Sequence, residues 1–157
     1  MSGVCVVVAS SDLSRVPDWD RRLVRVVGEH IAAPGAWGSS DCWMMTMDAI
    51  EAVTGERVLK HLRRYKSEAG GYRLFARHGF TTVEQALASI FQPVGRLSAQ
   101  RGDVGTIDRG GIISCGVFDA EGFAVKTLYG EGKTVTHWDV RHFPVTDVKA
   151  AFKVGRP

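Results

Sequence analysis

Apolar residues in the first half of the chain recur at helical spacing. Trp19, Leu23, Val26, Val27 and Ile31 fall at i, i+4, i+7, i+8 and i+12 behind a candidate N-cap, Asp18, and Pro34-Gly35 stops the run. Asp41 is the next N-cap candidate. From it Cys42, Met45, Ala49, Ala52 and Val53 share one helical face, and Gly55 is a natural residue to end that helix. A short helix is expected around residues 72–78, ended by Gly79. The segment "TTVEQALASI" then carries a capping box, Thr81 with Glu84, before an apolar stripe of Val83, Ala86, Leu87 and Ile90.

Beyond Pro93 and the polar run "RLSAQRGD" the period changes. "VGTI", "GIISCGVF", "FAVKTLY" and "KTVTHWDV" are rich in β-branched and aromatic residues and are separated by "DRGG", "DAEG" and "GEGK". Those separators have hairpin chemistry, so an antiparallel sheet is predicted. Helices first and a meander afterwards indicate an α+β fold, with N-terminal helices packed on a C-terminal antiparallel β-sheet. Residues 1–157 read as a single domain, with 1–16, containing "VCVVVAS", as an N-terminal strand or arm.

Composition fits this picture. The chain has 157 residues, 45% hydrophobic and 24% charged, which is enough to bury a core in one domain. A net charge of +3 permits an anionic partner without demanding one. Cys5, Cys42 and Cys115 are widely spaced and form no CxxC, so neither a disulfide framework, a zinc site nor any other cofactor is indicated, and a reducing compartment is the default. "VCVVVAS" is too short to span a bilayer and has no basic residue before it, so no export signal or membrane span is expected.

Cys42 is the leading chemical candidate. Exposed N–H groups and the positive end of the dipole at a helix start favour a thiolate, though Asp41 beside it opposes that charge. The alternative is a small hydrophobe filling the first core-facing turn. A thiolate nucleophile needs a base, usually histidine. His30, His61 and His78 all have structural explanations: the first helix's C-terminal dipole, a basic run, and a position before a helix-ending glycine. His137, in "TVTHWDV", is preferred over His142 as the base. Lys60, Arg63, Arg64 and Lys66, with Tyr65 among them, read as a solvated face in preference to a nucleic-acid contact. Trp37, Trp43 and the methionines at 44, 45 and 47 read as packing residues, and "GEGK" lacks phosphate-loop spacing.

The order "AWGSSDC", connector, "RGDV" and glycine-punctuated strand resembles the NlpC-type cell-wall peptidases, which are papain-like cysteine enzymes. Trp37, Gly38, Asp41, Cys42, Gly102 and Asp103 match that pattern. More closely, Trp19 to about Val117 resembles a family of small proteins encoded in phage and prophage tail gene clusters. "PDW", "AWGSSDCW", "DAIEAVTG", "RRYKSEAGGYRLFARHG" and "AQRGDV" carry this likeness, and "THWDV" resembles that family's end. The resemblance implies Cys42 as the nucleophile position, with Trp37, Asp41 and Asp103 as supporting site residues. It also puts Ser114, or a neighbour, where the peptidase histidine stands, and serine cannot perform that proton transfer.

The resemblance therefore implies a structural protein of a phage tail tip or hub, carried in the virion, with a catalytically degenerate peptidase-like fold. Its partners would be other tail-tip or hub proteins. The alternative it implies is an active tail-associated cysteine peptidase or amidase cleaving peptidoglycan stem peptides, with Cys42 attacking and His137 as base.

Overall fold

The computed structural model describes residues 13–131 and 134–156. The expected strand "VCVVVAS", with Cys5, lies outside them, as does part of "GEGK". Four helices are followed by a six-stranded antiparallel sheet, so the α+β class holds. The helices are α1 (Trp19–Ala32), α2 (Cys42–Thr54), α3 (Glu68–Arg77) and α4 (Val83–Ala88). The strands are β1 (Pro93–Val94), β2 (Val104–Arg109), β3 (Ile112–Asp119), β4 (Gly122–Glu131), β5 (Thr134–Phe143) and β6 (Val148–Phe152).

α2 is the central element. Asp41 caps it by accepting from the Met44 N–H at 2.8 Å, and Gly55 ends it in the left-handed region at φ 74°. Trp43, Met44, Met45, Met47, Ala49, Ile50, Ala52 and Val53 are all buried, so this helix is covered except along the strip of Asp48 and Glu51. One flank meets α1 and another meets β3 and β4.

α1 departs from the expected stripe. Leu23 and Val27 are buried, but Ile31 is exposed and His30 takes the inward place. Asp18 stands at the N-cap position without capping, its carboxylate engaged instead by Arg22 Nε at 2.9 Å. α3 begins earlier than the apolar pattern suggests, because Ser67 accepts from the Gly70 N–H and caps it there. The α4 cap is Thr82, not Thr81. Gln85 Oε1 reaches back to the Thr81 N–H at 2.7 Å, while Glu84 is drawn to the Thr106 hydroxyl and to Lys149.

The sheet order is β1-β6-β2-β3-β4-β5. β2 to β5 form the expected meander, but β6 returns to pair with both β2 and β1. The four-residue link 144–147 contains a 3-10 turn, whereas a flat sheet would require crossing four inter-strand steps, roughly 19 Å. The sheet therefore coils. Its concave side holds a second apolar cluster of Ile107, Phe118, Phe123, Val125, Val148 and Ala151, while Cys115, Val117 and Ala124 face the helices.

Candidate functional site

Cys42 opens α2 and is half-buried at the floor of a cleft with a volume of about 260 Å³. The walls come from the turn before α2 (Trp37), from α3 (Tyr72, Phe75) and from the start of β3 (Ile112, Ile113), with Tyr65 beside the floor. Aromatic and aliphatic faces dominate this surface, as they do in most small-ligand sites.

The turn that presents Cys42 is built around Asp41, which is buried. Oδ1 accepts from the Met44 N–H, while Oδ2 accepts from the Gly38 N–H at 2.8 Å and from the Tyr65 hydroxyl at 2.7 Å. Burial and the Asp41 charge push the Tyr65 phenol far above its ordinary pKa, so it stays a neutral donor. Gly38 has φ +82°, and a Cβ there would lie 1.8 Å from the Tyr65 carbonyl oxygen. The tryptophan-glycine pair thus has two separate duties. Gly38 lets two backbone segments touch, and Trp37 packs edge-on against Trp138, centroids 4.9 Å apart, while lining the cleft.

Behind this turn lies a buried polar chain. His30 Nδ1 and Ser40 Oγ are 2.7 Å apart, and His30 Nε2 lies 2.7 Å from Asp48 Oδ2. Arg63 Nη2 donates to Asp48 Oδ1. Lys126 Nζ donates to Ser40 Oγ and to the carbonyls of His30 and Ala33, closing the end of α1. Burial pulls the Lys126 pKa below its ordinary value, against the opposing charges of Asp139 and Asp41. His30 is therefore an internal fastener, a role that helix-dipole reasoning misses.

The basic run divides accordingly. Arg63 and Tyr65 turn inward while Lys60, Arg64 and Lys66 remain exposed, so it is not one cationic face.

The other candidate residues are not gathered at Cys42. His137 on β5 alternates with Trp138 and Val140, which face the helices, so its side chain belongs to the opposite face. Ser114 borders the cleft, but it is in step with Phe118 of the second cluster and points away from α2. The residue that faces α2 is Cys115, which is fully buried. Burial and the neighbouring Cys42 push the Cys115 thiol well up. Asp103 is wholly buried away from the cleft. It accepts from Arg15 Nη2, the Val154 N–H and the Gln100 N–H, and so ties the segment before α1 to the ends of β6 and the connector.

No histidine lines the cleft among the described residues. His142 is held by Asp119 at 2.7 Å, and His61 stacks with His78 at 4.6 Å between centroids. Among the described residues, no three His, Cys, Asp or Glu side chains are placed to hold a metal ion. No helix among them is long and apolar enough to cross a membrane.

Residues 14–154 match the family described as Domain of unknown function (DUF6950). The chain belongs to that family. The match runs from just before α1 to just past β6, so the cleft, the Asp41 turn and the whole sheet lie within the matched residues. No curated protein and no solved structure matches the chain.

Proposed function

We propose that this protein is a structural component of a phage tail tip or hub, built on a papain-like, NlpC-type fold that keeps the nucleophile position without its base. The observation that carries the catalytically silent reading is the lining of the cleft. Cys42 stands at the start of the central helix against an antiparallel sheet, yet no imidazole among the described residues borders it. Asp41 cannot substitute as a base, because three donors already occupy its carboxylate. The tail assignment, with tail-tip or hub proteins as partners and the virion as location, rests on the motif resemblance from Trp19 to Val117.

Two measurements test this reading. The protein is expected in purified virions by mass spectrometry and in cross-links to tail proteins, and its absence from both overturns the tail assignment. Incubated with peptidoglycan, the wild type is expected to release no more muropeptide than Cys42→Ala.

The half-exposure of Cys42 at a helix N-terminus favours a second reading, a tail-mounted cysteine peptidase or amidase acting on stem peptides. That reading requires Cys42-dependent muropeptide release and an alkylation rate at Cys42 that titrates well below an ordinary thiol. Its base would have to come from outside the cleft as described.

A further inference from the structure

The sheet ends at β5, and no strand lies beyond it among the described residues. Which of its backbone groups face outward follows from the two-residue β3–β4 hairpin, which closes on Asp119 and Gly122 as a hydrogen-bonded pair. Gly122 and Ala124 therefore address β3, while Phe123, Val125, Thr127 and Tyr129 address β5. Their partners Phe143, Arg141, Asp139 and His137 turn their backbone groups toward β4. In agreement, the Thr127 hydroxyl meets the Asp139 carbonyl on that side at 3.3 Å. Trp138, Val140 and His142 consequently direct their N–H and C=O groups away from the sheet.

We infer that β5 is a self-association edge, on which a second copy of this chain pairs antiparallel about a twofold axis through Val140. The side chains select that register. Asp139 and Arg141 are both exposed, on the face away from the helices. A twofold axis at residue 139 sets Asp139 against its own copy, and one at residue 141 does the same to Arg141. Both place like charges directly across the ladder, which is destabilising. An axis at Val140 sets each Asp139 opposite the second copy's Arg141, in non-hydrogen-bonded positions where facing side chains come closest. The same axis pairs Val140 with its copy and Trp138 with the second copy's His142, so all three outward-directed residues gain backbone partners.

The two edges of the sheet differ in how they meet a further strand. β1 is two residues long and begins with Pro93, which blunts it. β5 is ten residues long. From 137 to 143 it contains no proline and its register with β4 runs unbroken, so its outer edge is a regular template. The inference is independent of the tail assignment and of peptidase activity, since it needs neither a partner of another sequence nor Cys42.

The test is sedimentation equilibrium of the full chain in reducing buffer over a dilution series, with residue-resolved amide exchange at both ends of the series. A reversible dimer is expected, in which the N–H groups of Trp138, Val140 and His142 exchange more slowly at high concentration. Those of His137, Asp139 and Arg141 are expected to be protected by β4 throughout. Asp139→Arg and Arg141→Asp each put like charges at both crossings and are expected to weaken the dimer by about tenfold or more. Mixed in equal amounts, the two variants are expected to form a heterodimer, because opposite charges then face each other again. Val140→Pro removes an outward N–H that β4 does not use and is expected to abolish the dimer. Should it fail to fold, the charge variants at exposed positions decide. A monomer at every concentration overturns the inference, as does a dimer indifferent to both charge variants. Slow exchange of the three outward amides in a monomer means that a segment of the same chain covers the edge, and overturns it too.

Discussion

The Tyr65 hydroxyl donates to Asp41 Oδ2 across 2.7 Å, fastening the segment before α3 to the turn that presents Cys42. A hydrogen bond to a charged group contributes about 1.5–3 kcal/mol. Tyr65→Phe is therefore expected to lower the urea midpoint by that much in free energy, with an unchanged slope. The penalty should shrink in an Asp41→Asn background, because the two residues act as one contact. Additive costs in the double-mutant cycle would mean the bond is not formed in solution.

Gly38 answers to backbone geometry. At φ +82° with the Tyr65 carbonyl pressed against it, Gly38→Ala adds conformational strain and a clash with main-chain atoms, which cannot move aside like a flexible side chain. A loss of at least about 2 kcal/mol is expected. Gly79→Ala serves as the control: it also has positive φ but meets nothing within 4 Å, so thermal unfolding should show a clearly smaller loss for it.

Asp103 is the buried partner of Arg15, whose side chain is 5% exposed. Asp103→Ala strands that guanidinium and the Val154 N–H, and breaking a buried pair from one side costs about 3–5 kcal/mol. The cleft is elsewhere, so the pH profile of Cys42 alkylation in the protein that remains folded should be unchanged. A shifted profile would tie Asp103 to the site.

The His30–Asp48–Arg63 chain makes stability depend on acid. Burial raises the Asp48 pKa, but the hydrogen bonds and charges of His30 and Arg63 outweigh it, so the folded value lies below the ordinary one. A depressed carboxylate contributes stability that is fully present above its unfolded pKa of about 3.9 and is lost as pH falls through the lower folded value. Glu84, lowered by Lys149 and Thr106 against burial, acts in the same window. Denaturant midpoints should fall as pH drops below about 4, and Asp48→Asn should flatten that fall without abolishing it. An equal slope in wild type and Asp48→Asn would remove Asp48 from the explanation.

The sequence by itself determined what is set within a few residues of chain. Asp41 and Gly55 bound α2 because capping and left-handed backbone are local chemistry, and the glycine-containing separators "DRGG" and "DAEG" opened the β2–β3 and β3–β4 hairpins. Burial of Trp43 and the methionines followed from their apolar surface alone. Only tertiary structure decided between neighbours of similar local standing. His30 turned inward ahead of Ile31 because Ser40 and Asp48 satisfy its ring nitrogens, and a polar group so satisfied can be buried. Glu84, expected to close a capping box, is held instead by Thr106 and Lys149, both distant in sequence. β6 has too little alternation to announce itself and exists because β1 and β2 pair with it on either side. The site turned on the same kind of choice. In a strand, one residue's difference in register is a change of face, so pairing placed Cys115 on the face toward α2 and turned Ser114 and His137 away from the helices.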